Sequence, residues 1–114
     1  MSRFVWVLIA VTALFAGCAS DAVDVPLGPD GEPDPELVVG RDVWSQSCAR
    51  CHGNDGGGDS GPKLSDGRVS EAFSDPADMG QLILDGKGAM PSFSGKLSNN
   101  EVAAIVRYTL EVLG

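Results

Sequence analysis

The sequence predicts an all-α domain over residues 36–114, and three observations carry that expectation. A capped amphipathic pattern opens near Asp34 and a second opens at Ser98. No run between them alternates apolar and polar residues as a half-buried strand would. The third observation is a thin core: fifteen glycines stand against two tryptophans, one tyrosine and four phenylalanines. A domain of about 80 residues with that content is marginal on its own, so something other than side chains is expected to fill the middle.

The chain opens with residues 1–17, which read as a signal peptide: Arg3 precedes an apolar run from Phe4 to Ala16 broken only by Thr12. That run is shorter than the ~20 residues a bilayer core requires. The small residues Ala16 and Gly17 then precede Cys18, and "LFAGCAS" resembles the lipobox of bacterial lipoproteins, with Phe15 where leucine is usual. The resemblance implies a diacylglycerol on Cys18 and a membrane anchor; a conventional cut after Ala19 or Ala22 would instead release a soluble protein. Residues 18–35, with four prolines, five acidic side chains and no base, read as a flexible tether. From Cys18 to Glu36 there are six acids and no base, against ten acids and seven bases over residues 37–114, so most of the net negative charge belongs to the tether; an excess of 16 acids over 8 bases argues against a nucleic-acid partner.

In the first helix Asp34 is the expected N-cap, Pro35 the first helical residue, and Leu37, Gly40, Trp44 and Ser47/Cys48 share a face. "GNDGGGDSGPKLSDG" is irregular, and "DPADMGQLILDG" reads as a short helix. The last helix opens with a capping box, Ser98 and Glu101, and buries Val102, Ile105, Val106 and Thr109.

"SCARCHGND" ends the first helix and holds the chain's single histidine. Residues three apart on a helix are neighbours, so Cys48 and Cys51 can address one planar object from the same side. His52 comes next, where the chain turns. Cys-x-x-Cys-His is the attachment spacing of c-type haem, with two thioether bonds and an imidazole on iron. A structural zinc site would want four ligands, and the chain offers too few. A thioredoxin-like pair would want an adjoining βαβ pattern, which is missing. A disulfide across so short a loop would leave His52 unexplained.

With these motifs in place, residues 36–114 resemble the class I cytochromes c, small single-haem electron carriers. Gly40 and Trp44 match the family's glycine and aromatic ahead of the first haem cysteine. "GPKL", residues 61–64, matches the loop whose proline carbonyl accepts the proton of the proximal imidazole. The resemblance implies that Pro62 orients His52 and that Leu64 packs on the ring. It also implies a methionine as the second iron ligand. Met79 falls within an apolar helical pattern, whereas Met90 sits in "GKGAMPSF", the family's Met-Pro context, so Met90 is the expected donor.

One covalent haem c is therefore the expected cofactor, wrapped by Leu64, Ile83, Phe93 and the helix faces. The expected function is one-electron transfer in the bacterial envelope, on its periplasmic side, by a monomer that meets a protein donor and a protein acceptor. The rival is a ligand-binding or peroxidase-like haem protein with a labile sixth ligand. Lys63, Lys87 and Lys96, the chain's three lysines, are expected to border the haem as a docking collar.

Overall fold

Asp34 starts the first helix with its own side chain. One carboxylate oxygen accepts from the amides of Glu36 (2.9 Å) and Leu37 (3.4 Å), and α1 runs Pro35–Val43. In this computed structural model the described residues are 21–114; the expected signal peptide and Cys18 lie outside them. A π-helical turn, Trp44–Cys48, succeeds α1 and leads into α2, Ala49–His52. The sequence pattern predicts one uninterrupted helix here. The difference arises where the Ala49 amide reaches back to the Trp44 carbonyl, while Ser45 Oγ donates to the Arg41 carbonyl at 2.9 Å. Such a side chain competing for backbone acceptors is a common companion of a locally widened turn.

Next come α3, Arg68–Ala72, and α4, Pro76–Asp85, the latter capped by Asp75 accepting from Ala77 N–H (2.9 Å). The last helix, α5, Asn99–Tyr108, carries the full capping box and continues into a second π-turn, Thr109–Leu113. Among the described residues there is no β-strand, only isolated bridges at Leu27–Pro33 and Lys87–Met90. The fold is all-α, as expected, and α3 is an addition to the expected helices. Its five residues are too few to display a period, and Gly67 supplies no capping side chain.

The core is shared by Val43, Trp44, Val69, Met79, Ile83, Ile105, Val106, Tyr108 and Leu113. Its organising contact is the crossing of α1 over α5. A Cβ built on Gly40 would run into the Ala104 carbonyl oxygen and would lie 2.7 Å from Tyr108 Cβ. The helices can touch backbone to backbone because nothing projects from α1 at that point. Arg107 then ties the pair at the surface, reaching Asp34 (3.0 Å), Glu36 (2.6 Å) and Glu111 (2.9 Å). Its guanidinium, with the Glu36 and Leu37 amides, holds the Asp34 carboxyl below its ordinary range.

Residues 21–34, read from their composition as a tether, lie against the domain. Ala22 is buried, Val25 packs against the core, and Tyr108 Oη donates to the Val23 carbonyl at 2.6 Å. Arg41 donates to the Ala22 carbonyl (3.2 Å) and pairs with Asp24 (2.8 Å). Composition reads this segment as solvated because its apolar residues are few. Two side chains of the domain capture its backbone carbonyls all the same, and those are groups that composition cannot register.

Two glycines in helices should respond oppositely to alanine. Gly40→Ala should cost about 1–3 kcal/mol through overpacking, outweighing the ~1 kcal/mol that alanine gains in helix propensity. At Gly80 of α4 the added carbon would meet Val102 at 3.5 Å, an ordinary contact. Gly80→Ala should therefore stabilise by about 0.5–1 kcal/mol. Denaturant unfolding of both variants checks the pair; equal effects would contradict the close crossing.

Candidate haem-binding site

The site is built where α2 stops. The last carbonyls of a helix lack intrahelical partners, and here the adjoining loop returns to satisfy them. Gly58 N–H donates to the His52 carbonyl and Gly61 N–H to the Cys51 carbonyl, both at 2.7 Å. This return brings the Pro62 carbonyl 2.8 Å from His52 Nδ1. A carbonyl can only accept, so Nδ1 donates, and in the neutral imidazole the lone pair is then on Nε2. His52 is buried, and its ring lies 6.1 Å from that of Trp44. Trp44, 1% exposed, donates its indole N–H to the Asn54 carbonyl (3.2 Å), pinning the start of the same loop.

Gly61 is a participant that the sequence pattern did not single out. A Cβ there would lie 3.0 Å from both His52 Cε1 and Nδ1 and from the Cys51 carbonyl oxygen. Its position just before Pro62 was the available signal. Leu64 is half-buried against the core, and its amide is held by the Gly56 carbonyl at 2.8 Å.

Cys48 and Cys51 are both free thiols and half-buried. Burial, reinforced by the neighbouring Cys51, pushes the Cys48 thiol up to about 12. Thiolate chemistry, whether disulfide exchange or metal–thiolate binding, wants the opposite shift. A neutral thioether suits such a place. The donor set, a pair of half-buried thiols one turn apart beside an imidazole whose Nδ1 faces a carbonyl, fits a covalently attached haem. Among the described residues no group of three or more histidine, cysteine or acidic side chains could hold a metal ion by itself.

The two methionines part company. Met79 is buried in α4, 5% exposed, within the core cluster. Met90 is half-buried against that cluster, at the end of a tight turn in which Lys87 and Met90 exchange both backbone hydrogen bonds (3.1 and 3.0 Å). The chain after Met90 is stitched to the end of α4. Phe93 N–H reaches the Ile83 carbonyl (3.1 Å) and Ser94 N–H the Leu84 carbonyl (3.2 Å). Of the three collar lysines, Lys63 is paired with Asp66 at 2.7 Å and Lys96 lies over the Phe93 ring at 5.9 Å.

A small helical domain that closes Cys-x-x-Cys-His with a proline carbonyl on its imidazole defines a class, the single-haem class I cytochromes c, which transfer electrons and are not enzymes. A family model described as cytochrome c oxidase, cbb3-type, subunit III matches residues 35–108, and the chain belongs to that family of c-type cytochromes. The chain is 32% identical over 103 residues to cytochrome c-551 of Bacillus subtilis (strain 168), covering 90% of this chain and 88% of the relative. It is 31% identical over 78 residues to cytochrome c6 of Leptolyngbya boryana, covering 67% and 92%. The fold is similar to that of cytochrome cL from Hyphomicrobium denitrificans, with a TM-score of 0.59 at 22% identity. Cytochrome CL from Methylophaga aminisulfidivorans MPT gives 0.57 at 21%. Each superposition covers 68% of this chain, which spans 47% and 55% of those two longer chains, respectively. Haem c is the cofactor of this family, and Cys48, Cys51 and His52 supply its attachment motif.

Replacing both Cys48 and Cys51 by alanine should abolish haem that survives denaturing electrophoresis and should cost the cooperative unfolding transition, since the core is thin. A double variant that unfolds cooperatively without haem would contradict the view that haem completes the core.

Proposed function

We propose that His52 Nε2 and Met90 sulfur are the two axial donors to the haem iron and that Cys48 and Cys51 carry the thioether bonds. In the same reading the protein is exported, lipidated at Cys18, and carries electrons at the outer surface of a bacterial membrane. The observation that supports the histidine half of the assignment is the 2.8 Å contact between His52 Nδ1 and the Pro62 carbonyl, which leaves Nε2 available as a donor to iron. When bound, haem supplies reversible one-electron chemistry at iron.

The chain's own residues set the terms of that chemistry. Pro62 fixes the imidazole tautomer and raises its basicity. The turn at Lys87–Met90, held to α4 through Phe93 and Ser94, carries the thioether on a rigid mount. A methionine donor favours ferrous iron and raises the potential. With both axial positions taken by protein, no position is left for a substrate, which suits a carrier that meets a protein donor and a protein acceptor as a monomer. Lys87 and Lys96 provide positive charge beside the Met90 turn for an acidic partner, while Lys63 is offset by Asp66.

Support for the anchor comes from chain chemistry. With Cys48 and Cys51 committed to haem, Cys18 has no intramolecular partner. The preceding apolar run with Arg3 suits export. No helix among the described residues is long and apolar enough to cross a membrane.

Met90→Ala should open the sixth position, turning a low-spin spectrum high-spin, lowering the potential and admitting cyanide or carbon monoxide rapidly. Met79→Ala should leave the spectrum unchanged and cost about 2–5 kcal/mol of packing. The reverse pattern would overturn the assignment, and rapid ligand capture by the unaltered protein would favour a sensory or peroxidase-like haem. The mass of the mature amino terminus tests the lipid separately: an acylated Cys18 is expected, and a plain start near Ser20 or Val23 would exclude it.

A further inference from the structure

The segment between the anchor and the domain is fastened down almost as soon as it begins. Tyr108 is fully buried, and its hydroxyl donates to the Val23 carbonyl at 2.6 Å. Arg41 takes the Ala22 carbonyl and the Asp24 carboxylate, and Ala22 itself is buried. Further on, Leu27 and Pro33 bridge across a turn closed by Gly28 N–H on the Glu32 carbonyl at 2.8 Å. Asp34 then caps α1. Residues 21–34 are thus held at both ends, and their length is not available as slack.

Chain length does the rest. Ala22 lies four positions after Cys18, a reach of at most ~14 Å. A free coil over residues 18–34 would average ~25 Å between its ends and could extend far beyond that. We infer that residues 21–34 act as a short mount which keeps the α1/α5 face, where Val23 is docked, turned toward the lipid surface that carries the anchor. This rests on the proposed lipid at Cys18.

The surface fits that placement. The large apolar side chains left exposed among the described residues are Val23, Leu27 and Val39, which sit on the mount and on α1. Asp21, Asp30 and Glu32 lie along the same segment, while Asp24 is offset by Arg41. Such carboxylates oppose burial in an anionic headgroup layer, so the face lies beside the bilayer and does not enter it. The domain then has little freedom to swing, and donor and acceptor must reach the haem close to the membrane.

Haem quenches nearby fluorophores, which makes the height of the domain measurable. Haem-loaded chain beginning at Cys18 is coupled through that thiol to a maleimide lipid and placed on phosphatidylcholine vesicles bearing a headgroup dye. Chemical coupling supplies the anchor whether or not the cell does, so the lipidation reading, tested by mass, fails or stands independently. Strong quenching is expected from the unaltered protein. It should fall severalfold in the double variant Tyr108→Phe with Arg41→Gln, and in a chain with a Gly/Ser insertion between Ser20 and Asp21 that leaves the fold untouched. Loss on insertion with no loss in the double variant would overturn the mount. Equal quenching by all three proteins would overturn it too, because the domain's height would then not depend on the segment.

Discussion

A missing side chain at Gly40 lets α1 lie against α5 so closely that the Ala104 carbonyl and Tyr108 Cβ fill the space where a Cβ would stand. Much of the molecule depends on that approach. It sets Trp44 at a tilt against Tyr108, ring centroids 6.1 Å apart, and puts Trp44 the same distance from His52. It brings Arg107 within reach of both acids at the start of α1 and leaves the Tyr108 hydroxyl placed to donate to the Val23 carbonyl. The helix that leads into the haem-binding motif is therefore positioned by its packing against α5.

The site itself grows out of an ordinary requirement of helix ends. The Cys51 and His52 carbonyls need donors once α2 stops, and the glycine-rich loop returns two amides to them. Satisfying those groups delivers Pro62 to the imidazole. Backbone completion and ligand orientation are one structural event, and Gly61 is where they meet, since any larger residue would press on the ring. The methionine side obeys a similar logic: the Ile83 and Leu84 carbonyls at the end of α4 take the amides of Phe93 and Ser94 and steady the turn that presents Met90.

Much of this was legible in the sequence because it is written in side-chain types at fixed spacing. Asp34 with Pro35, Ser98 with Glu101, and Cys48-x-x-Cys51-His52 each couple a residue type to a geometry. The features that escaped lack such a code. The docking of residues 21–34 uses backbone carbonyls, and its proline-rich acidic composition points the other way. The π-turn at Trp44–Cys48 depends on a competing hydroxyl that is common in regular helices as well. α3 is too short to show a period.

Electron transfer by this domain rests, in the proposed assignment, on an imidazole and a thioether reaching a single iron from opposite arms of the chain. X-ray absorption at the iron edge of the purified protein, in both oxidation states, detects those two donors without intermediaries. One sulfur scatterer alongside the nitrogen shell, lost in Met90→Ala and retained in Met79→Ala, is the expected result. A shell of nitrogen and oxygen alone in the unaltered protein would contradict it.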